Sequence, residues 1–567
     1  MGRLAGDLHV NPPTGNPEKR RGSREKTMST TVDVIVEVLK REGIDRIFGI
    51  PGGGSTTELL HAARRAGIEP VLCGHEGSAG LIASVYGEIK ETPGVCFSIM
   101  GPGAVNLATG VAYAYLERVP LLAFTECHPF VNRELITTQK IDHKAFFSPI
   151  TKTQFTVTSG SAQQIVEKAL LSAKGERPGP VHLDLPNNEA AGESTYQDRE
   201  RGTLRLSHFA PRDSDALREI VSRVGQAHAP LIVAGIEAKR AKAMDRLAAL
   251  AEKWKVPVMV SVKGRGAFDE RHPLFGGVFL GTHSKGTFEE TIVGKSDLLL
   301  FVGVDGVELL PKPWGLSQPV IHIGYGANTD QVYPSALEVV GDIQRILEIL
   351  AEHPLRSNVW DPGFLEEFRK EMKQALSSSC EDLPVHHIVQ STRERLPSNG
   401  ILTTDVGAFN SLVHYLWQVQ EPKTYFTSKG LSTMGIALPA AIGAQLALPD
   451  RRVVCFTGDG GLLMRLQDLE MCSRLDLPII LVVFSDGGLG LIKVKQKSKG
   501  YAHAGVELKN PDFGLLAKAF RGLGFRAETM KEFDGALEKA MNSGRLSLIE
   551  AVMDPRTYGD HMKLVRG

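Results

Sequence analysis

The chain lacks a charge excess, a cysteine framework and any long apolar run. Lys plus Arg and Asp plus Glu number 65 each in 567 residues, so no net field favours nucleic acid or an anionic membrane as partner. No apolar stretch approaches the length that spans a bilayer, which argues against a membrane-embedded protein. The six cysteines, Cys73, Cys96, Cys127, Cys380, Cys455 and Cys472, include no Cys-x-x-Cys pair. Most sit within apolar runs, which points to buried thiols in a reducing compartment, the cytoplasm. Short-period repeats are also absent. Residues 1–27 hold Pro12-Pro13 and the basic run Lys19-Arg20-Arg21 without apolar periodicity, so they read as a disordered leader and not a signal peptide.

What is present is alternation. Short apolar runs such as Val95 to Met100, Pro230 to Ala234, Leu298 to Val302 and Val453 to Thr457 recur between helical patterns. This signals doubly wound parallel α/β sheets, three in succession. Polar stretches at Glu189 to Arg205 and Glu352 to Asp361 read as linkers. They divide the chain into domains at 28–190, 206–351 and 362–560. The tail from Asp554 to Gly567 is left open.

Chemistry concentrates in the third domain. Gly458-Asp459-Gly460-Gly461 closes one apolar run, and Ser485-Asp486-Gly487-Gly488 closes the next, with 24 residues between Gly460 and Ser485. In a right-handed βαβ unit both strands end on one side, so Asp459 and Asp486 become neighbours. Two carboxylates and a free backbone carbonyl suit Mg2+. The helical pattern Leu462-Leu463-Leu466-Leu469 would open with backbone amides able to take phosphate oxygens. A lone Gly-Asp-Gly is also a common turn. In the first domain, Glu76 follows the run Pro70-Val71-Leu72; taken alone, it could be an ordinary first-turn carboxylate held by the helix dipole.

The full constellation resembles the cofactor motif of thiamine diphosphate (ThDP) enzymes, where a pair of asparagines stands at Ser485 and Asp486. The resemblance implies Asp459, Asp486 and the Gly488 carbonyl as Mg2+ ligands, with Gly458, Gly460, Gly461 and Leu489 around the diphosphate. It implies that Glu76 bonds the cofactor's aminopyrimidine and drives the tautomer that takes the C2 proton. In Gly430-Leu431-Ser432-Thr433-Met434-Gly435, Met434 would wedge between the cofactor's two rings; its bland reading is core filling. The family builds each site from two subunits, which implies a homodimer or homotetramer and leaves a regulatory subunit open.

From Ser29 onward the chain is most similar to acetolactate synthase large subunits. Phe48-Gly49-Ile50-Pro51-Gly52-Gly53, Gly101-Pro102-Gly103-Ala104-Val105-Asn106-Leu107 and Thr404-Asp405-Val406-Gly407 carry the likeness. It implies cofactor contacts at Gly52, Gly53, Gly101, Pro102, Asn106 and Gly407, and substrate-pocket roles for Gln139 and Lys152. Where those synthases have an arginine-containing segment, this chain reads Val304-Asp305-Gly306-Val307-Glu308-Leu309. The missing arginines argue against FAD and against a 2-oxo acid acceptor, unless another cation such as Lys152 substitutes. The implied activity is carboligation: decarboxylation of a 2-oxo acid, pyruvate first among them, and addition of the enamine to a second carbonyl. Alternatives are a decarboxylase releasing aldehyde and a noncatalytic ThDP-fold protein.

Overall fold

A computed structural model describes residues 27–197, 215–282, 284–355, 360–377 and 382–567. The expected leader lies outside these residues except for Thr27, which begins β1 (Thr27–Thr30). Thr30 then caps the first helix through a reciprocal pair with Asp33. Strands β2 (Arg46–Ile50), β3 (Glu69–Leu72), β4 (Gly94–Ser98), β5 (Leu121–Cys127), β6 (Thr153–Thr156) and β7 (Pro180–Pro186) form one sheet in the order β3-β2-β4-β5-β7-β6. Every pairing is parallel. β8 (Glu193–Tyr196) pairs antiparallel with β1, so part of the stretch expected to be a linker is a strand. Its sequence hides it because only Ser194 is buried.

The second sheet contains β9 (Pro230–Ala234), β10 (Val258–Ser261), β11 (Phe275–Phe279), β12 (Leu298–Val302), β13 (Val320–Gly324) and β14 (Leu337–Val340), ordered β11-β10-β9-β12-β13-β14. The third contains β15 (Ile401–Thr404), β16 (Tyr425–Phe426), β17 (Val453–Gly458), β18 (Ile480–Ser485), β19 (Leu523–Ala527) and β20 (Ser547–Val552), ordered β16-β15-β17-β18-β20-β19. Both sheets are parallel throughout. Central strands such as β9, β12 and β15 are buried along their whole length, as helices on both faces require. The fold is the expected one, three consecutive doubly wound α/β domains.

Each sheet reverses its winding near its middle: between β2 and β4, between β9 and β12, and between β15 and β17. Ligands of open α/β sheets bind beyond the carboxyl ends of strands at such points. The glycine-rich segments Gly52-Gly53, Gly101-Pro102, Gly407 and Gly458-Asp459 all follow strands at these reversals.

The first and third domains share one apolar core. Helix Glu76–Lys90 packs on helices Pro102–Leu116 and Ala437–Ala447. A Cβ on Gly110 would lie 2.6 Å from the Gly80 Cα, and one on Gly443 2.7 Å from the Ile82 carbonyl oxygen, so glycine permits both close approaches. The helical pattern expected from Leu462 to Glu470 is broken into helices Asp459–Leu463 and Asp468–Arg474. A five-residue helix adds little dipole, so anion binding there would rest on the local glycine amides. The tail folds back: helix Tyr558–Arg566 packs on helices Ala408–Leu416 and Gly490–Ser498, burying Tyr558, His561 and Val565. Among the described residues no helix is long and apolar enough to cross a membrane.

Candidate active site

Asp459 and Asp486 are the first residues past the adjacent strands β17 and β18. Asp459 is buried and accepts from the Gly460 amide at 2.7 Å, the Gly487 amide at 2.9 Å and Asn510 Nδ2 at 2.8 Å. Asp486 accepts from the Gly488 amide at 3.1 Å. Burial and the charge of Asp459 push its carboxyl up to about 7, with Lys493 and hydrogen bonds opposing. Two carboxylates at one sheet edge are what a divalent cation would stabilise. The Gly488 carbonyl accepts one bond, from the Gly490 amide, which leaves it a lone pair. Asn510 Nδ2 also donates to Ser485 Oγ at 3.1 Å, while its Oδ1 is buried without a partner. Asn510 thus brings an amide to the place where the resemblance expects asparagine and finds Ser485. It stands 51 positions beyond Asp459, and no motif signalled it. This hard-oxygen donor set with an orphaned acceptor fits Mg2+.

Asp405, after β15, organises the turn beside this edge. Its carboxylate accepts from the Gly435 amide at 2.9 Å, the Val406 amide at 2.8 Å and Thr457 Oγ1 at 3.0 Å. Burial nevertheless pushes it up to about 6. The turn runs through Ser432 and Gly435, both at positive φ, and carries Met434. A Cβ on Gly460 would lie 3.4 Å from Met434 Cε and 3.0 Å from Leu489 Cδ2. The expected residues Met434, Gly460 and Leu489 therefore meet around one small cradle.

In the first domain Glu76 is the first residue of its helix, capped by His75. It is 7% exposed and accepts from Asn106 Nδ2 at 3.1 Å. A Cβ on Gly103 would lie 3.1 Å from Glu76 Oε1, so Glu76, Gly101, Pro102 and Asn106 share one edge. Gln139 is exposed with φ 56°, and its Cβ would lie 2.9 Å from a Cβ on Gly101, so it joins them. Gly52 and Gly53 lie in a loop that Glu126 holds, accepting from the Gly54 amide at 3.1 Å and from Thr56 N and Oγ1.

Sequence reasoning missed a buried network behind this loop. The Gly101 amide donates to His143 Nε2 at 3.3 Å, so the ring's proton is on Nδ1, which donates to Asp184 at 2.9 Å. Thr125 Oγ1 donates to Asp184 and contacts His182 Nε2 at 2.8 Å. Burial pushes His182 down to about 4, so it is neutral. His143, His182 and Asp184 have the spacing of a metal site; His143 Nδ1, His182 Nε2 and Asp184 Oδ1 bond one another or Thr125, while His182 Nδ1 is buried without a partner.

Lys152 departs from expectation. It precedes β6, at the sheet edge opposite Glu76, and its Nζ donates to the Glu176 carbonyl at 2.9 Å. A motif position does not tell which sheet edge a residue occupies. In the central domain, Asp305 pairs with Arg118 of the first domain at 2.9 Å. Glu308 is fully buried at the β9/β12 reversal, accepting from the Ile236 amide at 3.0 Å, the Asp305 amide at 2.9 Å and Ser261 Oγ. Burial pushes it up to about 7. Within one chain no hydrogen bond or ion pair among the described residues joins Glu76 to Asp459, Asp486 or Met434.

Three family descriptions match in series. They are thiamine pyrophosphate enzyme N-terminal TPP binding domain over residues 29–146, central domain over 217–350, and C-terminal TPP binding domain over 405–551. The acetolactate synthase large subunit of Parasynechococcus marenigrum is 30% identical, covering 91% of this chain and 86% of its own. Acetolactate synthase isozyme 2 large subunit of Escherichia coli is 29% identical, covering 92% and 95%. The probable 2-ketoarginine decarboxylase AruI of Pseudomonas aeruginosa is 30% identical, covering 93% and 94%.

Proposed function

The chain belongs to the thiamine pyrophosphate enzymes, and on that premise we propose that it is a Mg2+-dependent carboligase of the acetolactate synthase type. When bound, ThDP supplies a carbon nucleophile and an electron sink for loss of CO2 from a 2-oxo acid. Asp459, Asp486 and the Gly488 carbonyl would hold Mg2+, with Asn510 supporting Asp459. Glu76, positioned by Asn106, would hold a proton at the cofactor's pyrimidine. Met434 and Leu489 would set the shape of the cofactor's seat, and Gln139 would border the substrate.

The observation that carries carboligation over simple decarboxylation is the Gly52-Gly53-Gly54 loop. Its polar neighbour Glu126 is consumed by three donors, and a side chain on Gly53 would meet nothing within 4 Å. The open side of Gly53 leaves space for an acceptor, and Glu126, held by its three donors, is not free to protonate an intermediate. The decarboxylase relative favours the second reading, release of an aldehyde. Its named substrate, 2-ketoarginine, carries a cationic end that suits poorly a cleft bearing Lys312, Lys429 and Arg566.

The reading dispenses with flavin. At the central reversal, where a dinucleotide phosphate would meet backbone amides, a Glu308 carboxyl oxygen already takes the Ile236 amide. We also read the protein as at least a homodimer, with Glu76 of one copy facing the cation-holding turn of another. The absence, among the described residues, of any hydrogen bond or ion pair joining Glu76 to Asp459, Asp486 or Met434 within one chain supports this, as do exposed Leu72, Val105 and Met464 at the same edges. The unpaired thiols, of which Cys73, Cys96, Cys455 and Cys472 are buried, suit the cytoplasm.

Incubation with ThDP, Mg2+ and 13C-labelled pyruvate, followed by NMR, tests the activity. Acetolactate is the expected product; acetaldehyde without acetolactate would shift the assignment to the second reading. Failure to release CO2 from any of a panel of 2-oxo acids would overturn both.

A further inference from the structure

A cleft of about 930 Å3 opens between the third domain, the central domain and helix Tyr558–Arg566. Gly407, Ser432 and Leu491 line it, each within two positions of a residue proposed to seat the cofactor or being one itself. Its remaining character is cationic: Lys312, Lys429 and Arg566 reach it from three separate segments.

Lys429 is the informative member. It sits in the loop that ends at Met434, and that loop is clamped by Glu117, whose Oε1 accepts from the Lys429 amide at 2.8 Å and the Gly430 amide at 2.9 Å. The half-buried Lys429 ammonium makes no ion pair among the described residues. Burial and the nearby Arg566 lower it to about 8. The carboxylates that could neutralise it are engaged elsewhere. Glu117 pairs with Lys263 at 2.8 Å. Glu289 accepts from the Leu280, Gly281 and Thr282 amides. Glu308 caps Ile236.

Arg566 is in the same condition. Its Nε is buried without a partner, and burial lowers its basicity. The acidic side chain on the lining, Asp560, pairs with Lys563 at 3.1 Å, and the carboxylate of Gly567, also on the lining, makes no ion pair with Lys429 or Arg566 among the described residues. Holding two cations close together, partly out of water and without a counter-ion, is unfavourable unless an anion arrives. A surface lysine cluster would be fully solvated or paired; these two groups are half-buried and make no ion pair among the described residues.

We propose that this cleft selects a substrate whose far end carries an anionic oxygen group, held by Lys429 and Arg566, in addition to the carbonyl that reacts. The inference rests on the ThDP reading and deepens it by naming the substrate class: an oxo acid with a terminal carboxylate, sulfonate or phosphonate. It also answers the loss of arginines after β12, because the compensating cations come from the Met434 loop and the C-terminal helix, not from Lys152.

The test is binding of unreactive analogues to the protein loaded with ThDP and Mg2+, by calorimetry. Glutarate, 4-sulfobutanoate and 4-phosphonobutanoate are compared with butyrate, and their ranking identifies the terminal group. At least one is expected to bind about tenfold more tightly than butyrate, and Lys429→Met or Arg566→Gln to remove about that factor. Lys429→Arg should retain it, which separates lost charge from a damaged fold. Equal binding of all four, or a preference unchanged by both substitutions, would overturn the proposal. ThDP affinity is measured on the same samples: its absence would count against the enzyme reading alone. The analogues are then titrated into the protein without cofactor, where the same comparison decides the charge inference.

Discussion

Glu76 and Asp459 each sit just past a parallel strand, buried, yet their surroundings are built differently. On the first-domain edge the carboxylates that shape the loops are satisfied: Glu126 takes three donors, Asp184 takes Thr125 and His143, and Glu76 takes Asn106. On the third-domain edge Asp486 faces Asp459 with its carboxyl pushed up to about 7, and Asn510 leaves an oxygen unpartnered. The carboxylates of the first edge are partnered as folded, although Ser98 Oγ and His182 Nδ1 behind them are buried without partners; the second sets two carboxylates together with only Lys493 opposing them. The third-domain edge is therefore an arrangement that a bound cation would stabilise, whereas the first domain presents carboxylates already partnered by hydrogen bonds.

The sharpest break in that comparison is Asp459→Ala, which removes one carboxylate and the anchor of Asn510 and Gly487. Turnover is expected to fall by roughly a thousandfold with loss of Mg2+-dependent ThDP binding. Steady-state kinetics and cofactor titration check both. Glu76→Gln should cost roughly a hundredfold or more in turnover while ThDP still binds, because it alters proton handling and not the seat. Normal turnover in that variant would remove Glu76 from the mechanism. Asn510→Ala should weaken Mg2+ by about tenfold, the range seen when a group supporting a metal ligand is lost, read from the Mg2+ dependence of activity.

The smallest effect tests the seam between the two domains. Asp468 is buried, pushed up to about 6, and accepts from Ser78 at 2.7 Å. Its folded value exceeds its unfolded one, so its contribution is fully present below about pH 4 and is lost as pH rises through about 6. Asp468→Asn should therefore stabilise the protein by about 1–2 kcal/mol at pH 8 and leave it unchanged at pH 4. Denaturant melts at the two pH values measure this. Destabilisation at pH 8 would mean that the charge is compensated by a group not identified.

Much of this was legible before the structure. β9 and β12 coincide with their apolar runs, because buried central strands leave continuous Val, Ile and Leu. Edge strands such as β6, β11, β14, β16 and β19 were not. Thr153–Thr156 and the two-residue Tyr425–Phe426 carry too few apolar residues to stand out, and Phe275–Phe279 and Leu523–Ala527 contain glycine. In the site, Asp459, Asp486 and Glu76 could be read from local motifs. Asn510, His143 and Asp405 could not be given their positions, since each acts through a partner distant in sequence. Lys152 shows the converse: a motif match gives no sheet edge, and the topology puts this residue at the end of the sheet opposite Glu76.

Subunit complementation tests the shared site most directly. Glu76→Gln and Asp459→Ala variants, each inactive alone, are mixed under conditions in which mass spectrometry shows that subunits exchange. If one copy supplies the carboxylate and its partner the cation-holding turn, half of the dimers are hybrids with one intact site, and about a quarter of wild-type activity returns. No recovery in a demonstrably exchanged mixture would contradict the account.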